Sequence, residues 1–237
     1  MPEWLLIALL TLMAGIAMPV GAIVARIERI HPNWLEQEFR HSVLAFGGGA
    51  LLSAIALVLI PKGSENASPS FIGFWFACGG VCFMLLDRIL DAVKSSMSQL
   101  VAMLSDFFPE ALALGAAFAG DKNAGILLAL IMTLQNLPEG FNAYRELRSS
   151  TNLKAAKIIV MFVVFSMLGP AAGLTGFFFL ADHPTTISAL MLFSAGGILY
   201  LIFQDIAPQV KLKRHWAPSL GAVAGFLLGL MGHAFIQ

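Results

Sequence analysis

Long apolar stretches alternate with short polar connections along the whole chain. A membrane hydrocarbon core of about 30 Å requires about 20 apolar residues in each helix that crosses it. Stretches of that length, bounded by charged residues, glycine or proline, predict eight membrane-spanning helices. The predicted spans are Trp4–Val24, His41–Ile60, Phe71–Leu90, Met97–Ala119, Ala124–Tyr144, Ala155–Leu180, Thr186–Pro208 and Pro218–Ile236. The pattern therefore predicts an all-α membrane protein.

Composition supports this class and narrows the partners. Hydrophobic residues make up 58% of the chain and charged residues 12%, whereas soluble globular domains carry about 25% charged residues. The 14 Lys and Arg residues balance the 14 Asp and Glu residues. Because the charge is balanced, nothing in the composition indicates nucleic-acid binding, and the lipid bilayer is the predicted partner. Because no linker or low-complexity segment divides the chain, residues 1–237 are predicted to form a single transmembrane domain.

The distribution of positive charge predicts the orientation of the helices. All but two of the 14 Lys and Arg residues follow odd-numbered spans, the exceptions being Lys62 and Lys122. Under the positive-inside rule, this predicts eight spans with both termini on the non-cytoplasmic side of the cell (inner) membrane. The residues after odd-numbered spans are Arg26, Arg29, Arg40, Arg88, Lys94, Arg145, Arg148, Lys154, Lys157, Lys211, Lys213 and Arg214. Since Arg26 and Arg29 follow the first span, that span is predicted to be a helix and not a signal peptide.

An internal repeat relates the second and seventh spans. The segments FGGGALLSAIALVLIP (Phe46–Pro61) and FSAGGILYLIFQDIAP (Phe193–Pro208) align without a gap, and Gly49 meets Gly196. The two spans run in opposite directions, so the repeat predicts the inverted topology found in many transporters. A chance match between two short Gly-rich membrane helices is the alternative.

The fourth span places carboxylates inside the membrane. Asp106 and Glu110 are four residues apart in SDFFPEALALG, so they lie on one face of a helix. Pro109 has no amide hydrogen, which frees the carbonyl of Ser105 beside both acids. A carboxylate at this depth is costly and indicates a functional site.

The fifth span repeats this arrangement in LQNLPEGFNAY. Gln135 and Glu139 are four residues apart, Asn136 lies beside them, Asn142 follows one turn later, and Pro138 frees another carbonyl. Two such helices packed together would form a pocket of oxygen atoms that suits a divalent cation. The alternative is structural, with proline kinks and buried glutamates that only stabilise neighbouring helices.

These paired motifs resemble the (H/Q)(N/D)xPEG motifs on the fourth and fifth helices of the ZIP family of zinc and iron permeases. The resemblance covers nearly the whole chain and implies eight helices in a 3+2+3 arrangement with an inverted repeat. It implies transport of a divalent metal ion, zinc, iron or manganese, as substrate and without an organic cofactor. The residues at motif positions, which the resemblance implies bind the metal, are Asp106, Glu110, Gln135, Asn136 and Glu139.

The chain departs from the family pattern at several positions. Asp106 stands where the family usually has His, Phe107 where it usually has Asn, and Gly169 where many members have Glu. The connection after the third helix, residues 91–99, has no histidine. Because carboxylate and amide oxygens are then the remaining ligands, we expect a single metal site with a weaker preference for zinc relative to manganese or iron(II).

Asp205 extends the hypothesis to the seventh span. With Gln204 it lies one turn before Pro208, near the predicted inner end of the helix. A carboxylate there could receive an ion that leaves the pocket, so Asp205 is a sixth candidate metal ligand. The alternative is an ordinary acid at a helix end, where charge costs little.

The remaining motifs do not change the predicted class of protein. The sequence contains no HExxH motif, nucleophile constellation or phosphate loop, so an enzyme is not expected. Gly221 and Gly225 form a GxxxG motif, which favours close helix contacts within the monomer and leaves a homodimer open. Cys78 and Cys82 are predicted to be small buried side chains.

Two other functions stay open at this point. A protein of the same fold could bind metal without transporting it, as a membrane sensor or structural protein. A sodium- or proton-coupled carrier of an organic solute would also suit an inverted repeat. Measurement of metal flux separates the first alternative from a transporter.

Overall fold

The computed structural model describes residues 1–28, 33–92, 98–210 and 216–236. All regular structure in those ranges is helical, and it forms eight long helical segments. They are α1 (Glu3–Ile27), α2 (Asn33–Ala54, continued by Ile55–Leu59 and Ile60–Ser64), α3 (Pro69–Ala92), α4 (Ser98–Gly120), α5 (Lys122–Ser150), α6 (Ala155–Ser166, continued by Leu168–Thr175 and Gly176–Leu180), α7 (Pro184–Leu201, continued by Ile202–Ile206 and Ala207–Gln209) and α8 (Ala217–Ile236). The all-α prediction is confirmed for the described residues.

Seven of these helices are long and apolar enough to cross a membrane, counted over the described part of the chain. The helix not among them is α4, which carries Asp106 and Glu110 within its length. The prediction of an integral membrane protein is therefore confirmed, while the eighth span stays a prediction. Met97 of the fourth predicted span, and Arg29, Lys94, Lys211, Lys213 and Arg214 of the charge pattern, lie outside the described residues.

One end of the bundle, called the Lys62 face, gathers the start of α1 and the end of α2 around the start of α5. Lys62 Nζ lies 2.7 Å from Asp121 Oδ2, and Lys122 Nζ lies 2.6 Å from Glu3 Oε1. The hydrogen bond from Lys62 holds the pKa of the Asp121 carboxyl below its usual value. His233, near the end of α8, lines a cavity of 180 Å³ with Lys62 and Asp121. The first and last helices thus have their terminal ends on the same face.

The opposite end, called the Arg145 face, gathers the ends of α1, α5 and α7. Arg145 Nη1 lies 2.5 Å from Glu28 Oε2, which ties the end of α5 to the end of α1. A cavity of 830 Å³ opens here and is lined by Arg26, Arg40 and Asp205 among others. Because α1 and α5 are joined by ion pairs at both ends, we infer that they form a firmly connected pair.

Close helix contacts occur where glycine removes the side chain. A Cβ atom at Gly21 of α1 would lie 2.0 Å from the Leu137 carbonyl oxygen, and one at Gly140 of α5 would lie 2.2 Å from the Met18 carbonyl oxygen. The backbones of α1 and α5 therefore approach more closely than any other residue type would permit. This contact positions the motif of α5 against α1.

The GxxxG motif of α8 packs against α2 of the same chain. A Cβ atom at Gly221 would lie 2.5 Å from the Ser42 carbonyl oxygen, and one at Gly225 would lie 2.0 Å from the Phe46 carbonyl oxygen. The expected contact within the monomer is confirmed.

The two repeat segments share a backbone feature. A π-helical turn occurs at Ile55–Leu59 in α2 and at Ile202–Ile206 in α7, which are equivalent positions in the gapless alignment. The amide of Ile60 donates to the carbonyl five residues before it, and the amide of Ala207 does the same. Both turns come just before the proline that closes the repeat. A third π-helical turn occurs outside the repeat, at Gly176–Leu180 in α6, so the support for the repeat comes from the matched positions of the other two turns.

The prediction for the cysteines was wrong at Cys82. Cys78 is half-buried and Cys82 is exposed on α3.

Labelling of single cysteines tests the orientation. In a Cys78→Ala, Cys82→Ala background, cysteines placed at Ser64 and Asn123 lie on the Lys62 face, and one at Ser149 lies on the Arg145 face. Under the positive-inside rule, we expect an impermeant thiol reagent to label the first two in intact cells and Ser149→Cys only after permeabilisation. Labelling of Ser149→Cys in intact cells would contradict the orientation.

Candidate metal centre

Helix α4 contributes two buried carboxylates. Asp106 is 3% exposed and Glu110 is fully buried. The Phe107 amide donates to Asp106 Oδ1 at 2.8 Å. Glu110 Oε2 accepts a hydrogen bond, while Glu110 Oε1 is buried without a partner. The two acids, which were predicted to share one helix face, therefore both lie in the core of the bundle.

Helix α5 contributes two buried amides. Gln135 Nε2 donates to Glu110 Oε2 at 2.7 Å, and Asn136 Nδ2 donates to the Ala14 carbonyl oxygen at 2.9 Å. Both amide oxygens are buried and accept no hydrogen bond. The two side chains thus use their donors to hold α4 and α1, and they keep their oxygens available as ligands.

Glu139 completes the set from α5. Both of its carboxylate oxygens are buried without a partner. Glu139 and Asp106 line the same small cavity, which places a carboxylate of α5 close to one of α4. Within the described ranges, no Lys, Arg or His forms an ion pair with Asp106, Glu110 or Glu139. The cluster is therefore acidic, and no basic residue in the described part of the chain is paired with it.

Unpartnered acceptors at this depth are expensive. Glu110, Gln135, Asn136 and Glu139 together present five buried oxygens without a donor. Each such group costs about 1–3 kcal/mol, and more when it is charged. Buried polar groups in proteins almost always have partners, so an exception of this size calls for a ligand. A cation would satisfy these oxygens and balance the charge.

Asp205 reaches the same region from α7. A cavity of 30 Å³ is lined by Asp106, Glu139 and Asp205, together with four apolar side chains. This volume matches the share of one water molecule in the liquid, about 30 Å³. Asp205 lies in the π-helical turn of α7, a feature that often marks functional positions. It also lines the large cavity at the Arg145 face.

The acids do not form a metal centre by themselves. Among the described residues, no group of three or more His, Cys, Asp or Glu side chains is arranged to hold a metal ion. Coordination would need the amide oxygens of Gln135 and Asn136 beside the carboxylates. Such a mixed oxygen set suits cations that accept carboxylate and amide ligands.

Two departures from the family motif meet in space. Phe107 is fully buried, and a Cβ atom at Gly169 of α6 would lie 2.9 Å from its ring and 2.5 Å from the Thr11 carbonyl oxygen. The aromatic ring thus fills the space beside the glycine. Neither residue alone predicts this contact, which joins α4, α6 and α1 and puts apolar packing where the family pattern would place ligands.

This contact makes a stability prediction. Gly169→Ala would push a methyl group against the Thr11 backbone, so we expect a loss of about 1–3 kcal/mol of unfolding free energy, the usual cost of overpacking. Thermal unfolding in detergent measures it. Gly73→Ala is the matched control, because a Cβ at Gly73 meets nothing within 4 Å. Equal unfolding temperatures for the two variants would contradict the described packing.

The structure brings part of the predicted set together. Gln135 meets Glu110 at the α4–α5 interface, and Asp106, Glu139 and Asp205 line one small cavity. Asn136 donates an amide hydrogen to the Ala14 carbonyl oxygen of α1. Asn142, expected on the same polar face, instead lines the large cavity at the Arg145 face. The Ala14 carbonyl was missed, since a backbone partner 122 positions away leaves no mark in the sequence.

Fold and site together define an all-helical integral membrane protein with a buried cluster of acidic and amide side chains at the contact of two helices. The chain is similar to zinc transporter ZIP13 of Pongo abelii, with 25% identity over 194 residues that cover 71% of this chain and 58% of that protein. It is also similar to zinc transporter SLC39A7 of Homo sapiens, with 26% identity over 155 residues that cover 61% of this chain and 32% of that protein.

These relatives are members of the ZIP family, and they confirm the resemblance of the motifs to that family. The chain spans about half the length, or less, of the curated relatives it matches. No family model matches the chain.

Proposed function

We propose that this protein transports divalent metal cations across a membrane through a site between α4 and α5. The observation that carries the proposal is the group of five buried oxygens without donors on Glu110, Gln135, Asn136 and Glu139. The zinc transporters among its relatives support the same class of cargo. The transported ion is the substrate, and the proposed transport uses no organic cofactor.

Electrostatics explains why the site favours a cation. Burial of a carboxylate without a partner is costly, and three acids that repel one another raise that cost. A divalent ion between Asp106, Glu110 and Glu139 offsets the repulsion. The amide oxygens of Gln135 and Asn136 complete the coordination without added charge. This balance lets the ion bind strongly enough to be selected and still leave.

The ligand chemistry bears on the choice of ion. The proposed set contains carboxylate and amide oxygens and no imidazole or thiolate. Such a set discriminates less in favour of zinc, relative to manganese or iron(II), than a set with histidine does. We propose zinc, iron and manganese as substrates, through one metal site.

A route from the centre favours transport over binding alone. Asp106, Glu139 and Asp205 line the 30 Å³ cavity, and Asp205 also lines the open 830 Å³ cavity, so we propose that the two cavities form a route for the ion. An ion released from the centre would meet Asp205 next and then the aqueous space at the Arg145 face. A sensor that only binds metal has no need of such a path.

The membrane arrangement follows from the same set of features. We propose that α4 is the eighth span, that the helices form a 3+2+3 arrangement, and that α2 and α7 are equivalent members of an inverted repeat. Their matched π-helical turns support the last point. The Arg145 face is proposed to be cytoplasmic, with both termini outside the cell (inner) membrane. No second copy of the chain is needed to complete the centre, so a homodimer is not required.

Uptake into proteoliposomes tests the function. The purified protein is reconstituted, and uptake of zinc, manganese and iron(II) is compared with uptake by protein-free vesicles. We expect saturable uptake of at least one of these ions. Metal-dependent thermal stabilisation without any uptake would contradict transport and favour a non-transporting sensor or structural protein of the same fold.

A further inference from the structure

The large cavity at the Arg145 face has a chemistry opposite to that of the metal centre. Arg26, Arg40, Arg145 and Arg148 line its 830 Å³, together with Asn142 and two acids, Glu146 and Asp205. The metal centre presents oxygen acceptors, whereas this cavity presents mainly hydrogen-bond donors. A divalent cation is therefore not the natural ligand of these donors, because positive charge at such distances repels it.

Not all four arginines carry unbalanced charge. Arg145 is paired with Glu28, whose side chain is only 6% exposed, so that pair is neutral and fixed. Arg26 forms no ion pair within the described ranges, and Arg148 donates to the backbone carbonyl of Leu153 at 3.3 Å. Two guanidinium groups of the cavity wall thus lack a carboxylate partner among the residues described.

Asn142 supplies an independent observation. Its Nδ2 atom is buried and has no acceptor, although the residue lines the cavity. A buried donor without an acceptor calls for an acceptor ligand. Guanidinium groups form paired hydrogen bonds to carboxylate and phosphate oxygens. The guanidinium donors on the cavity wall therefore match this class of ligand, and the Asn142 amide lies buried beside them.

We propose that this cavity binds a small, water-soluble anion that carries several carboxylate or phosphate groups. Its volume of 830 Å³ falls within the range of about 300–1,000 Å³ typical of small-molecule sites. Asp205 lines both this cavity and the small cavity beside Asp106 and Glu139, so the proposed anion site adjoins the candidate metal centre. Such anions also chelate divalent metals, so the bound anion can accept the cargo at Asp205. That second step rests on the proposed transport, whereas anion binding does not.

Calorimetry without metal tests the site. The full chain is placed in phosphatidylcholine nanodiscs in buffer freed of divalent ions on a chelating resin, and it is titrated with citrate or with inorganic phosphate. We expect saturable binding of both probes. Arg26→Gln and Arg148→Gln should each weaken citrate binding about tenfold or more, the size expected for loss of a hydrogen bond from a charged group. Lys157→Gln, an exposed basic residue outside the cavity, is the charge-matched control and should bind citrate as the wild type does.

Four outcomes would overturn the proposal. Neither probe binds, or both arginine variants bind citrate as tightly as the wild type, or the Lys157→Gln control loses as much affinity as they do. Stabilisation by phosphatidic acid in the discs, with no citrate or phosphate binding in its absence, would assign the cavity to a lipid headgroup and also overturn it. Because the titration contains no metal, its failure leaves the proposed metal transport untouched.

Discussion

Replacement of Glu110 or Glu139 by glutamine is expected to remove most of the stabilisation that a divalent ion gives this protein. Glutamine keeps the size of the side chain and, at position 110, can still accept the bond from Gln135. It removes one charge from the cluster. Loss of a group that hydrogen-bonds to a metal ligand costs roughly 10–100-fold in metal affinity, and we expect the loss of a charged ligand to cost at least as much. At 100 times the Kd, binding stabilises by about 2.7 kcal/mol, and a 100-fold loss reduces this to about 0.4 kcal/mol.

Melting curves with and without the ion measure this effect. Without metal, each variant should be at least as stable as the wild type, because one of three repelling acids has lost its charge. Glu65→Gln is the control, since Glu65 lies exposed at the Lys62 face and should keep full metal stabilisation. If the glutamates only hold helices together, both variants melt lower without metal and keep the metal-induced shift. That result would exclude their role as ligands.

The double variant adds a test of proximity. Residues that hold one ion act as a unit, so their effects are not additive. The double variant Glu110→Gln with Glu139→Gln should lose little more metal affinity than the single variant that binds metal less tightly. Additive losses would indicate two separate ions.

Asp106→His is expected to change which ion the protein prefers. Imidazole suits zinc, whereas carboxylate suits harder ions such as manganese. We expect the ratio of zinc to manganese uptake to rise about tenfold, which corresponds to about 1.4 kcal/mol of differential binding. Competition between the two ions in proteoliposomes measures the ratio directly.

The control for this change keeps the metal centre intact. Asp121→His alters an exposed acid at the Lys62 face that is paired with Lys62, so it should leave the ratio unchanged. An unchanged ratio in Asp106→His would mean that Asp106 does not contact the transported ion. The bond from the Phe107 amide to Asp106 Oδ1 would then be its main role.

Local periodicity explains why the candidate centre could be predicted. Spacing of four residues put Asp106 with Glu110 and Gln135 with Glu139, because positions i and i+4 share a helix face whatever the rest of the fold does. The bonds between helices could not be predicted in this way. Gln135 meets Glu110 because two helices pack in one particular register, and single-helix patterns carry no information about register.

The internal repeat also shows which features can be predicted from sequence and which cannot. The gapless match of Phe46–Pro61 with Phe193–Pro208 is visible in the amino-acid sequence. The π-helical turns in both segments could not be predicted, since they depend on how the backbone accommodates the following proline among its neighbours. The contact of Phe107 with Gly169 likewise could not be predicted from the sequence, although both residues depart from the family motif.

The most direct test of the central claim is a crystallographic anomalous difference map of the protein loaded with zinc or manganese. The account predicts a peak between α4 and α5, within coordination distance of Glu110 and Glu139, at about 2.0–2.2 Å for zinc with carboxylate oxygens. Peaks found only at surface histidines or at the Lys62 face, with none between the two helices, would contradict it.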